Sequence, residues 1–274
     1  MTQETERTAV PGAARNSRSA PGSDPAAGAA PPGFPRGIPG AIQGLMAGLV
    51  LVAALGVPSN SLEAQGVLVD EGEFRLMVRG LEVGSETFAI RRSGTGAEVR
   101  FTAQGRIVME VPEGRLEIAT TLGAKGVAAQ PTGYQRNVSG ARVEILSFSL
   151  LGNRLVVRIS SGAGEEMREM PVPAGGLLLE ETIAHQFHFL VARYLAGDTR
   201  IQAIRPETRA VSILELDERD PTTIQTRGGR IPVRRLRVTE GSRVWEVWFD
   251  GRGRVLRLEN AVEGFRAERV SPPS

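Results

Sequence analysis

From residue 66 onward the apolar residues of this chain fall mostly on alternate positions. In FRLMVRG, Phe74, Leu76 and Val78 take one face while Arg75 and Arg79 take the other. EVRFTAQG sets Val99, Phe101 and Ala103 against Arg100, Thr102 and Gln104. RLEIATTLG, RVEILSFSL and RLVVRIS continue the pattern, with glycine-containing breaks between them. A period of two with one apolar face predicts strands of an antiparallel sheet packed on one side. About eight such segments lie between residues 66 and 172.

One stretch breaks the alternation. Leu179, Ile183, Phe187, Leu190, Val191 and Tyr194 recur at helical spacing, and Gly197 is placed to stop the run, so a single helix is expected from about 178 to 196. The chain then returns to strands through TRIQAIRP, RAVSILELDE, TTIQTRGG, RIPVRRLRVTE, SRVWEVWFD and RVLRLENAVEG. In RIPVRRLRV, Ile231 and Val233 share one parity, Leu236 and Val238 the other, which predicts a β-bulge near Arg234 and Arg235. Asp250-Gly251 marks a tight hairpin. The fold class is therefore mainly β, an α+β chain with one covering helix and about 11–14 strands, forming one domain over 65–270.

The N-terminal segment differs. Residues 1–40 are rich in Pro, Gly, Ala and Ser and are expected to be disordered. Residues 45–57, LMAGLVLVAALGV, carry no charge and suit the apolar core of a signal peptide within 41–64, with cleavage near Ala64-Gln65. The mature chain would then be periplasmic or secreted, in a bacterium, without a membrane span. An uncleaved N-terminal anchor is the rival reading.

Composition adds exclusions. There are no cysteines, which removes disulfides, thiol catalysis, Cys-ligated zinc and a lipid anchor on cysteine. A net charge of +2 gives no case for nucleic acid, and Lys125 is the only lysine among the basic residues. No G-x-S-x-G motif and no phosphate-binding loop occurs, so neither an enzyme nor a cofactor is implied.

Two sets of residues merit a site hypothesis. Glu181, His185 and His188 stand at i, i+4 and i+7, where a helix brings all three to one point. A zinc or iron site needs such convergence, but HExxH spacing is absent, and a solvated helix flank behind Glu180 and Glu181 is the simpler expectation. The second set is aromatic. Trp245 shares a face with Val247 and Phe249, whereas Trp248 lies with Val244 and Glu246 on the other.

The order of these features resembles the exported half-barrel carriers of the LolA, LolB and LppX type, closest to their uncharacterised bacterial relatives. The residues carrying the resemblance are GLEVGSETFAI, the helix ending in VARYLAGD, the strand IPVRRLRV, and a W-x-D-x-x-G-R-x-L ending formed by Trp248, Asp250, Gly253, Arg254 and Leu256. The resemblance implies a strongly curved antiparallel sheet, a half-barrel, whose apolar concave side is covered by helix. It also implies a binding role for an acyl chain, a lipid or another apolar molecule. Phe187, Leu190 and Tyr194 on the helix, with Trp245 or Trp248 on the sheet, would line that cavity. The carriers use several helices as a lid and LolB is a lipoprotein; this chain offers one helix and no cysteine. A structural or assembly protein of the envelope, meeting a protein partner, is the alternative. An interior filled by the protein's own side chains would favour that alternative. A metal-assisted hydrolase on the helix histidines comes third.

Overall fold

A computed structural model of the chain describes residues 66–151, 154–226 and 229–273, which belong to one compact unit, Val57–Ser274. The signal segment and the N-terminal extension lie outside the described residues. The alternating pattern becomes β1 (Val67–Val78), β2 (Leu81–Ser93), β3 (Arg100–Val111), β4 (Gly114–Lys125), β5 (Gln130–Gly140), β6 (Glu144–Leu151), β7 (Arg154–Ser161) and β8 (Gly164–Pro171). After the link 172–176 come β9 (Leu177–Leu178), α1 (Phe187–Leu195), β10 (Arg200–Arg205), β11 (Ala210–Thr226), β12 (Gly229–Glu240), β13 (Arg243–Phe249), β14 (Val255–Asn260) and β15 (Phe265–Arg269).

All fifteen strands form one sheet, ordered β8-β7-β6-β5-β4-β3-β2-β1-β15-β14-β13-β12-β11-β10-β9. Every neighbouring pair is antiparallel except β9 with β10. From β1, in the middle of the sheet, the described chain meanders outward to one edge at β8. It then crosses to the opposite edge at β9 and meanders back until β15 pairs with β1. Twist between neighbours, roughly 20° each, accumulates over that many strands and curls the sheet. The curl is deep enough for its two ends to approach. Arg136 on β5 reaches Glu180, just past β9, at 2.7 Å, and Glu166 on β8 reaches Arg209 beyond β10 at 2.9 Å. The edges β8 and β9 do not pair, so the sheet stays open and side chains bridge the seam.

The inner face follows directly from parity. Leu76, Ala267, Leu258, Val247 and Leu236 lie side by side across β1, β15, β14, β13 and β12, each fully buried. Ile90, Ala103, Leu122, Tyr134 and Phe148 make the matching row across β2 to β6. The connection from β9 to its parallel neighbour β10 is the segment that crosses this concave face, and its helix is apolar on the side it presents.

Two expectations change in detail. The helix is shorter than 178–196: a 3-10 turn at Ala184–Gln186 leads into α1 at Phe187. Residues 177–179 instead bond to β10, with Leu177 opposite Ala203, Leu178 opposite Ile204, and the Leu179 N–H on the Ile204 carbonyl at 3.1 Å. Those backbone bonds to a neighbouring strand displace the local helical ones. The strand count reaches fifteen because the two-residue β9 is included. The register shift expected at Arg234 and Arg235 is present at that level but lies across from them: Arg219 pairs with Arg235 and Thr222 with Val233, leaving the two residues Asp220 and Pro221 of β11 opposite Arg234 alone. β12 itself runs straight, so Ile231 and Val233 turn to the outer face and join a second apolar cluster with Ile224, Leu256 and Trp248.

Candidate functional site

The start of the crossing helix is seated on a charged residue inside the core. Glu86, on β2, has the parity of Phe88 and Ile90 and is 0 % exposed. Its carboxyl accepts the backbone N–H of Ala184 at 2.8 Å and of His185 at 3.0 Å, and lies 2.6 Å from His185 Nδ1. Because the carboxylate only accepts, the His185 ring carries its proton on Nδ1. A short 3-10 turn leaves its first N–H groups unsatisfied, and Glu86 supplies the acceptors that a capping side chain normally would. Gly105 on β3 makes room: a Cβ there would stand 2.5 Å from His185 Cε1. Phe74, Phe88 and His185 stack in sequence, with ring centroids 5.2 and 5.9 Å apart.

A second buried pair adjoins this stack. Arg269 on β15 grips Asp70 on β1 with two bonds of 2.8 and 3.0 Å, and its guanidinium carbon lies 5.3 Å from the Phe88 ring centre. His188 is buried nearby, and burial pushes its ring below the ordinary 6.5; the charges of His185 and Arg269 act in the same direction, those of Asp70 and Asp250 against it. A histidine held neutral in the fold contributes stability that is complete above about pH 6.5 and is lost as the pH falls below it. Acidifying from about pH 7.5 to about 5.5 is thus expected to lower the melting temperature more in the native protein than in His188→Leu. Equal slopes in thermal scans at the two pH values would exclude His188 as a source of acid sensitivity.

The far end of the crossing segment is fastened as well. Arg193 donates to the carbonyls of Ala128 at 3.0 Å and Gly175 at 2.8 Å and pairs with Asp198. The Tyr194 hydroxyl donates to Glu218 at 2.6 Å, and Arg234 donates twice to the same carboxylate, at 2.6 and 2.8 Å. These bonds from Arg234 and Tyr194 hold Glu218 down at about 2. Ahead of the helix, Arg136 binds Glu180 at 2.7 Å, Glu144 at 2.6 Å and Glu207 at 3.1 Å, so one guanidinium joins β5, β6, the crossing segment and the β10–β11 turn.

Glu181, His185 and His188 do not share one point. Glu181 pairs with Arg243 on β13, His185 with Glu86 on β2, and His188 packs against Phe189. Among the described residues no group of three or more His, Asp or Glu is placed to hold a metal. The expected solvated flank is corrected too: Glu180, His185 and His188 are 4, 1 and 8 % exposed. The helix begins later than its apolar spacing suggests, and Arg136 and Glu86 draw these side chains inward.

The aromatic set divides. Phe187, Leu190 and Trp245 are 0, 0 and 1 % exposed, with the Phe187 and Trp245 rings 5.6 Å apart. Tyr194 sits half-buried at the rim, its ring 6.4 Å from Phe249. Trp248 is on the opposite face of the sheet, half-buried, with the Arg257 guanidinium 5.5 Å from its ring centre. A groove of about 730 Å³ opens at the ends of β3 and β4, lined by residues 97–102, 123–128, 130 and 132, and none of the five residues lines it.

Glu86, Asp70, Arg136 and Arg269 were not singled out from the sequence. The signal was there: each is a charged residue at the parity of buried neighbours, Glu86 with Phe88, Asp70 with Phe74, Arg136 with Tyr134, Arg269 with Ala267. A charge on an apolar face needs a partner inside the fold.

No protein-family model matches this chain, and no curated protein matches it. Two solved structures are similar. One is a β-barrel-like protein of the domain of unknown function DUF1849 from Brucella abortus, with 10 % identity and a TM-score of 0.47 over 76 % of this chain and 98 % of the other. The second is an inferred exported protein with a YmcC-like fold from Bacteroides fragilis, with 6 % identity and a TM-score of 0.25 over 77 % of this chain and 97 % of the other. At such identities and scores neither bears on what this chain does. The class stands on the described residues of this chain: an open, curved, mostly antiparallel sheet crossed on its concave face by one short helix. Among the described residues no helix is long and apolar enough to cross a membrane.

Proposed function

We propose that this chain is a non-catalytic protein of the bacterial envelope that acts through its outer surface, by contact with a protein partner. The observation supporting this reading is the filling of the concave face. Phe187, Leu190 and Trp245 are packed to 0–1 % exposure, and the helix carrying two of them is tied at its start by Glu86 and at its end by Arg193 and Tyr194. A pocket for a drug-sized apolar molecule needs roughly 300 Å³ or more lined by such side chains. Here they touch one another instead. Export is supported by the sequence alone, through the apolar run 45–57 and Ala64-Gln65.

A second reading, a holder of an acyl chain or lipid lined by Phe187, Leu190, Tyr194, Trp245 and Trp248, draws on one observation. His185 Nε2, His188 Nδ1 and Trp245 Nε1 are buried without a hydrogen-bond partner. Such orphans at the contact between helix and sheet weaken a fit that is otherwise tight.

The experiment expresses the full chain with its own N-terminal segment, purifies it from the periplasm, and applies native mass spectrometry followed by organic extraction. The expected result is the mass of the polypeptide from Gln65 onward, with nothing extractable. A co-purifying lipid lost in Phe187→Glu would replace this reading with the carrier.

A further inference from the structure

The outer face of the C-terminal half carries a row that the fold does not require. Arg219 on β11 is directly opposite Arg235 on β12, Arg235 opposite Trp248 on β13, and Trp248 opposite Arg257 on β14. At about 4.8 Å between strands the row spans roughly 14 Å. Three guanidiniums and one indole are thus presented side by side, and two of the guanidiniums are like charges in direct cross-strand register, an arrangement that costs stability.

The acids around the row compensate it unevenly. Arg219 meets Asp217 at 3.0 Å and Arg257 meets Glu268 at 2.8 Å. Arg235 has Glu246 only at 3.8 Å, because Glu246 is engaged by Arg237 at 2.7 Å. The Nε groups of Arg219, Arg235 and Arg257 are all covered from solvent and make no hydrogen bond. Trp248 rests on the outer apolar cluster of Ile224, Val233 and Leu256, which exists because β11 and β12 continue past the register shift and bring apolar residues to this side.

From this juxtaposition we infer that the Arg219–Arg235–Trp248–Arg257 row is a docking surface for an extended acidic segment of a partner protein. The inference rests on the reading of an outer-surface protein and names the partner's chemistry. A carboxylate complements the Arg235 guanidinium above all, whose nearest acid stands at 3.8 Å, and reaches it through the terminal nitrogens because the Nε is covered. Arg219, Arg235 and Arg257 lie on one face of the sheet, so an extended segment with acidic residues at alternate positions, whose side chains all point the same way, matches the row. Tryptophan and arginine are the residues that most often carry binding energy at protein interfaces. An acidic glycan fits less well, since a sugar ring needs a free indole face and Arg257 lies over the ring of Trp248.

Fluorescence reads this directly, because the chain has two tryptophans and Trp245 is 1 % exposed. The full chain is titrated with a synthetic octapeptide of alternating Glu and Val, and in parallel with polygalacturonate. The peptide is expected to change the emission of the native protein. Trp248→Phe should abolish that change by removing the reporter, and Arg235→Gln/Arg257→Gln, two half-buried positions of the outer face, should weaken binding about 10-fold or more, as should raised salt. No response to peptide, or undiminished binding by the double variant, overturns the inference. So does a response to polygalacturonate alone, which would make the partner a glycan. A lipid found in the interior would sink the outer-surface reading and leave this titration unchanged, so the two failures are separable.

Discussion

Glu86→Ala is expected to lower the free energy of unfolding by about 3–5 kcal/mol, far more than the loss of one surface carboxylate. In the native fold the carboxyl is 0 % exposed and serves three donors: two backbone N–H groups of the 3-10 turn and the His185 ring. Alanine leaves all three buried without an acceptor, and each orphan costs about 1–3 kcal/mol. The apolar neighbours Phe74 and Ile107, opposite Glu86 on β1 and β3, offer no substitute. Glu86→Gln keeps one acceptor oxygen and turns an amide toward donors, so its cost should fall between the two. Urea unfolding with an unchanged m-value is the measurement. A loss below about 1 kcal/mol for alanine would mean that water reaches the turn, and that the helix is not seated on the sheet in solution.

The same residue shows what the sequence discloses. Strands and their inner faces were legible because the period of two is exact: once Phe74, Leu76 and Phe88 are assigned inward, so are Asp70 and Glu86. The change of parity from Ile231 and Val233 to Leu236 and Val238 was legible as well, but the bulge expected from it near Arg234 and Arg235 is not on that strand: β12 runs straight and carries the two pairs on opposite faces. The two extra residues sit on β11, and pairing is a property of two strands. The helix illustrates the other limit. Leu177, Leu178 and Leu179 are as apolar as the residues of α1, and only the presence of β10 beside them decides that they extend. Likewise the helical wheel brought Glu181, His185 and His188 together, yet their partners lie on β2 and β13, 99 and 62 residues away from His185 and Glu181. Parity reveals which charges are buried; it does not reveal which strand answers them.

Trp245→Ala should cost about 3–5 kcal/mol, and its pattern of rescue bears on function. The ring is packed against Phe187 at 5.6 Å and Phe265 at 6.1 Å, so its removal leaves an apolar hole between helix and sheet that rigid strands cannot collapse to fill. Trp245→Phe should cost much less. It leaves a smaller hole and also removes the buried, partnerless indole N–H, whose desolvation the native fold carries without a hydrogen bond. If the interior is closed and filled, added indole raises the melting temperature of Trp245→Ala by occupying the hole and leaves the native protein unaffected, since a ligand stabilises only what it binds. If the interior instead opens to accept apolar molecules, long-chain fatty acid raises the melting temperature of the native protein itself. The two thermal scans therefore separate a filled sheet, whose business is on its outer face, from a cavity that exchanges its own side chains for cargo.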